Sequence, residues 1–80
     1  MRYAKSATNH GITTADGIQA ASNPLWIEPL DDETTQWREL RLGFDTHARL
    51  LETVVVVAAD GDELLIHSMK ARPQYSRLLE

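Results

Sequence analysis

Two residue types that exchange protons near neutral pH stand at informative positions: Glu52, in Leu50-Leu51-Glu52, and His67, in Ile66-His67-Ser68-Met69. If the two segments are neighbouring antiparallel strands, carboxylate and imidazole sit diagonally on one face, roughly 7 to 8 Å apart at the backbone and within reach of long side chains. Cationic residues accompany them, with Arg38 and Arg41 upstream and Lys70 and Arg72 immediately downstream of His67. Leu64 to Leu79 contains His67, Lys70, Arg72 and Arg77 and no acid, so a basic end is expected on an otherwise acidic body. Glu52 also suits a plainer role as the ion-pair partner of a nearby arginine, and His67 that of a partly buried structural histidine. His10, just before Gly11, reads as a helix-end residue whose imidazole meets the last carbonyls.

The elements that must position these groups follow from local patterning. Ala4 to Asn9 allows one or two helical turns, with Gly11 where a left-handed cap would fall. Thr13 followed by Asp16 resembles a capping box, and Thr14 to Ser22 then makes a short helix stopped by Asn23-Pro24. Leu25 to Glu28 is a short extended segment closed by Pro29, and Asp31 to Thr35 an exposed acidic loop. Trp37 to Phe44 alternates as a strand, with Arg38, Leu40, Leu42 and Phe44 on one face and Trp37, Glu39, Arg41 and Gly43 on the other.

Leu50 to Ala58, with four consecutive valines, is the clearest strand, and Asp60-Gly61 predicts a two-residue hairpin turn into a strand from Asp62 to Met69. That turn opposes Val57 with Leu64, Val55 with Ile66, Thr53 with Ser68 and Glu52 with Met69. One face, Thr53, Val55, Val57, Leu64 and Ile66, would floor the helices. The other, Glu52, Val54, Val56, Leu65, His67 and Met69, would carry the site. Pro73 suits the first turn of a closing helix over Gln74 to Leu79. The expected class is α+β: two short N-terminal helices, an antiparallel β-sheet of three to four strands and a C-terminal helix.

Composition narrows the function. Eighty residues, 42% hydrophobic and 25% charged, make one domain over 1–80 with a single core. A chain this size buries only about 60 to 65% of the surface its unfolded form exposes, which leaves room for a partner chain or a homodimer. The net charge of −4 argues against a surface that grips nucleic acid everywhere. With no cysteine there is no thiol nucleophile or thiolate metal site, which fits a cytoplasmic setting. The longest apolar run, Val54 to Ala59, is too short to cross a membrane. His10, His47 and His67 lack the short ligand spacings of metal sites, and there is no phosphate loop, dinucleotide fingerprint or nucleophile elbow, so neither metal nor cofactor is expected.

The order His10-Gly11-Ile12-Thr13, Arg38 to Gly43, Leu50-Leu51-Glu52, Ile66-His67-Ser68-Met69 and Arg72 resembles the BrnT-like toxins over most of the chain. That resemblance implies a RelE-like fold, a type II toxin-antitoxin system, messenger RNA cleavage that inhibits translation, and neutralisation by a cognate DNA-binding antitoxin. BrnT-like chains usually carry a more basic final segment than Lys70-Ala71-Arg72. Metal-independent RNA cleavage needs a base for the 2′-hydroxyl, an acid for the leaving 5′-oxygen and cations to hold the phosphate. Under this reading Glu52 is the base, His67 the acid, and Arg41, Lys70 and Arg72 the phosphate clamp. Arg38 matches the family's arginine, yet its parity with Leu40 and Leu42 sets it on the helix-facing side and Arg41 on the other, so both remain candidates for substrate contact. The second reading is a binding module of the same fold that has lost catalysis and acts through a partner, whose contacts would centre on Trp26, Trp37 or Tyr75.

Overall fold

The computed structural model describes residues 1–80, and a single sheet organises them. Its strands are β1 (Arg2–Tyr3), β2 (Pro24–Pro29), β3 (Gln36–Phe44), β4 (Leu50–Ala58) and β5 (Glu63–Lys70), in the spatial order β1-β5-β4-β3-β2. β2 to β5 form an antiparallel meander, whereas β1 joins β5 in parallel through Arg2 opposite Leu64 and Tyr3 opposite Leu65. One nine-residue helix, α1 (Thr14–Ser22), crosses one face. A four-residue helix, α2 (Pro73–Ser76), runs into a 3-10 turn at Arg77–Leu79.

The α+β class stands, but the expected arrangement within it does not. The sheet has five strands and is mixed, in place of an antiparallel sheet of three to four. The first expected helix is a single 3-10 turn, Lys5–Thr8, rather than a helix. The implied RelE-like arrangement is therefore set aside. Serine and threonine in that segment compete for backbone hydrogen bonds and weaken a helix. The segment is instead tied to the sheet, by Ala4 N–H donating to the Leu65 carbonyl at 2.8 Å and Ser6 Oγ to the Ile66 carbonyl at 2.7 Å. Two residues cannot display a strand period, so β1 was illegible.

α1 begins as its sequence predicts: the Thr13 hydroxyl accepts the Asp16 N–H at 3.2 Å. Its inward face is made of small residues, with Gly17, Ala20 and Ala21 all buried, and this brings the helix unusually near the strands. A Cβ on Gly17 would lie 2.9 Å from Ser68 Oγ, and one on Gly43 of β3 would collide with the Ala20 carbonyl oxygen. Beneath the helix lie Ala7, Val55, Val57 and Leu65, flanked by Ile18 and Trp37, with Ile12, Ala20 and Leu51 alongside.

The β4–β5 loop has three residues, not two. Ala58 N–H donates to the Asp62 carbonyl and Gly61 N–H to the Ala58 carbonyl, both at 2.9 Å, and Gly61 alone takes positive φ, +93°. This is a turn closed by a left-handed glycine, the other common hairpin solution. Near the loop the register accordingly slips by one from expectation, with Val57 opposite Glu63 and Val55 opposite Leu65. A bulge between the Val54 and Val55 pairings then absorbs the slip, and Val54–His67, Thr53–Ser68 and Glu52–Met69 pair as expected. Leu65 therefore faces α1 and Ile66 the opposite side, the reverse of the predicted faces, while His67 keeps its predicted side.

Gly43→Ala should cost about 2 kcal/mol or more in urea unfolding, because α1 must lift from β3 to admit the methyl group. A loss below 0.5 kcal/mol would mean that the helix is not seated as described.

Candidate functional site

The sheet face away from α1 carries Arg38, Leu40 and Leu42 from β3, Glu52 and Val54 from β4, and Ile66 and His67 from β5. With Leu30 on one side and Arg72 and Tyr75 after β5 on another, these residues shape a concavity of about 300 Å³. Its floor is apolar, Leu40, Val54 and Ile66, and its polar groups are Arg38, Glu52, His67 and Arg72. A larger hollow of about 400 Å³ is lined by Pro29, Asp31, Asp32, Glu33, Trp37 and Glu39. Four carboxylates in it would repel a polyanion.

Glu52 is the centre of the first site. Its side chain is 1% exposed, an expensive position for a carboxylate, and four donors compensate it. The Arg72 backbone N–H and Nε reach Oε1 at 3.1 and 2.9 Å, Arg72 Nη2 reaches Oε2 at 2.9 Å, and His67 Nε2 reaches Oε2 at 3.1 Å. Burial pushes the Glu52 carboxyl up, but the hydrogen bonds from Arg72 and His67 outweigh it and hold the group below the usual carboxylate range. A carboxylate so stabilised is a poor base. Its chemistry is that of an orienting group: an ionised acceptor calls for a proton on His67 Nε2, and in the neutral ring the lone pair is then on Nδ1. The Arg72 guanidinium is half-exposed, sits 5.3 Å from the centre of the Tyr75 ring, and retains three N–H donors beyond those given to Glu52.

Arg38 enters the same concavity from β3, held by Asp31, which accepts from its Nε at 3.1 Å, its Nη2 at 3.0 Å and its backbone N–H at 2.8 Å. Those bonds keep Asp31 below the usual carboxylate range, with the Arg38 side chain the largest cause. Alternation along β3 separates Arg38 from Arg41 as expected, but with the two faces exchanged. Arg41, expected at the substrate, lies beneath α1 instead. It is buried, donates to the Ala21 carbonyl at 2.9 Å, and pairs with Glu39 at 2.9 Å and Glu63 at 2.6 Å. It closes the C-terminal end of α1, where a cation is favoured, and is a structural residue. Lys70 is exposed and pairs in register with Leu51, whose side chain faces α1, so the structure does not bring it into the concavity. Of the six residues singled out in the sequence, Glu52, His67, Arg72 and Arg38 come together, and Arg41 and Lys70 do not.

Two residues were missed for this site. Tyr75 lines it beneath Arg72. His10 stands beside it, its ring 5.2 Å from that of His67 at an interplanar angle of 71°. His10 does not cap a helix as expected: the element before it is a 3-10 turn over Lys5–Thr8 whose C-cap is Asn9. The bulge that directs both Ile66 and His67 to this face left no mark in the sequence.

A second polar cluster, Asp16, Asp45 and His47, gathers three metal-capable atoms within 4.8 Å of one another. These acids already have partners. Asp45 accepts from the His47 and Arg49 backbone N–H groups at 2.8 and 2.9 Å and from Arg49 Nε at 2.7 Å, and Asp16 accepts from Thr46 and Thr13. The cluster fastens the β3–β4 turn, in which Ala48 takes positive φ, to the start of α1. Of the aromatic residues expected at a partner surface, Trp26, Trp37 and Tyr75 are half-buried, and the exposed large apolar side chains are Tyr3, Leu25, Ile27, Leu30, Phe44 and Met1. No helix is long and apolar enough to cross a membrane.

No protein-family model matches the chain, and no curated protein or solved structure matches it either.

Because folding lowers the Glu52 carboxyl, its contribution to stability is complete above the ordinary value of 4.5 and is lost as pH falls through the depressed folded value. Glu52→Gln should cost about 1 to 3 kcal/mol at neutral pH, and its urea-unfolding stability should decline less steeply with acid than that of the wild type. An identical acid slope would show that Glu52 is not held as an ion. Arg41→Met, which strands Glu39 and Glu63, should destabilise by more than 1 kcal/mol, whereas Arg38→Met should stay within about 0.5 kcal/mol in the same assay.

Proposed function

We propose that this chain is a metal-independent endoribonuclease, the toxin of a type II toxin-antitoxin pair neutralised by a cognate protein. The observation that carries the reading is the His67–Glu52–Arg72 unit. A buried carboxylate fixes both the tautomer of a half-buried imidazole and the direction of a guanidinium, and the unit shares one concavity with a second arginine, Arg38. Roles differ from the simplest assignment. His67 Nδ1, not Glu52, is the proton acceptor for the 2′-hydroxyl, because Glu52 is consumed in orienting. Arg72 and Arg38 offer their remaining N–H donors to the phosphate as charge builds on it. The apolar floor and the Tyr75 ring suit a base lying against the sheet. The ordered likeness to BrnT-like toxins supports the endoribonuclease class, though not these residue roles.

A second reading, a binding module that acts only through a protein partner, is favoured by one specific observation. Both arginines of the concavity are paired with carboxylates, Arg38 with Asp31 and Arg72 with Glu52, so the site carries little net positive charge.

The two are separated by incubating purified protein with labelled RNA in excess chelator. The expected result is cleavage that leaves 2′,3′-cyclic phosphate and 5′-hydroxyl ends, reduced about 100-fold or more by His67→Ala and by Arg72→Ala in variants that still fold. Intact RNA at stoichiometric, folded wild-type protein would reject the enzyme and leave the binding module.

A further inference from the structure

None of the charged groups so far placed in the concavity, nor His67, is free to give the leaving group its proton, and beyond them the lining offers only the Tyr75 hydroxyl. Glu52 is ionised and buried, the arginines do not deprotonate, and His67 is engaged as the acceptor. A second imidazole, His10, stands next to His67 at the edge of the concavity. The 3-10 turn Lys5–Thr8 is stitched to β5 at Leu65 and Ile66, immediately before His67, and Ala7 is buried beneath α1. Three residues further on, Gly11 reverses the chain at φ +76°, and Ile12 is buried again. His10 is thus an exposed imidazole suspended between two buried anchors, and it stands edge-on to His67 with 5.2 Å between ring centres. Ser6 and Thr8 of this turn bond to backbone carbonyls, whereas the imidazole of His10 meets the ring of His67.

Resting on the endoribonuclease reading, we propose that His10 is a second catalytic residue, the general acid that completes a two-imidazole site. In the step, the 2′-hydroxyl proton passes to His67 Nδ1, the 2′-oxygen forms a bond to phosphorus, and the bond from phosphorus to the 5′-oxygen breaks. The His10 imidazolium gives its proton to that oxygen. The products are a 2′,3′-cyclic phosphate and a free 5′-hydroxyl. The two rings have exchanged charge, His67 now cationic and His10 neutral, and both reset by proton exchange with water.

The test compares a plain dinucleotide, uridylyl-adenosine, with uridine 3′-(4-nitrophenyl phosphate), whose leaving group departs without a proton. The full chain and its His10→Ala, His10→Gln and His67→Ala variants are assayed, with folding checked by circular dichroism. His10 variants should lose about 100-fold or more on the dinucleotide and less than about 10-fold on the nitrophenyl ester, whereas His67→Ala should lose on both. Equal losses on the two substrates, or none on either, in folded His10 variants would overturn the role of His10 while leaving the endoribonuclease intact. A folded wild type that cleaves neither substrate would overturn the endoribonuclease reading and this inference together.

Discussion

A single buried carboxylate governs how this molecule is put together around its open face. Glu52 lies in the middle of the sheet with 1% of its side chain exposed, where an uncompensated charge would cost several kcal/mol. Neither neighbouring strand supplies enough donors. The chain beyond β5 must therefore turn back so that the Arg72 backbone N–H and guanidinium reach both carboxylate oxygens. Pro73 follows at once and starts α2, and Tyr75 comes to lie beside the guanidinium it helps to hold. The same requirement that satisfies the charge thus builds one wall of the concavity and fixes the orientation of His67.

The opposite face meets a different constraint, the close approach of α1, and solves it with small residues. Gly17, Ala20 and Ala21 on the helix and Gly43 on β3 remove the side chains that would hold the layers apart. The carbonyls at the helix end then need donors within reach, and Arg41 provides one from beneath, neutralised in turn by Glu39 and Glu63. Two arginines three positions apart on one strand thus have unrelated tasks. Arg41 is spent inside the fold, while Arg38 is braced by an exposed-loop aspartate and faces the concavity.

Much of this was legible beforehand. The four long strands, the Thr13–Asp16 cap and the shared face of Glu52 and His67 all follow from period, capping chemistry and cross-strand geometry. What escaped was whatever depends on contacts distant in sequence. Arg2 and Tyr3 show no pattern, and their strand exists because β5 offers an open edge. Alternation separates Arg38 from Arg41 but cannot say which face α1 will choose, since that choice rests on glycines and alanines whose value lies in what they leave out. His10 and Tyr75 are brought to the site by chain reversals at opposite ends of the sequence.

The register of the last hairpin shows how finely the site depends on one residue. The three-residue loop sets Val57 against Glu63 and Val55 against Leu65. Continued without interruption, that register would oppose Val54 with Ile66 and Thr53 with His67, and because Thr53 lies on the α1 side, the imidazole would be buried under the helix. Ser68 would take its place on the open face, and Glu52 would lose a donor. The bulge between the Val54 and Val55 pairings inserts one residue, turns Ile66 and His67 to the same side, and returns Ser68 to the interior opposite Gly17. Ser68 Oγ has no hydrogen-bond partner there, a local cost that accompanies placing the imidazole against Glu52. The loop alone points His67 the wrong way, and the bulge is the element that makes the open face a chemical one.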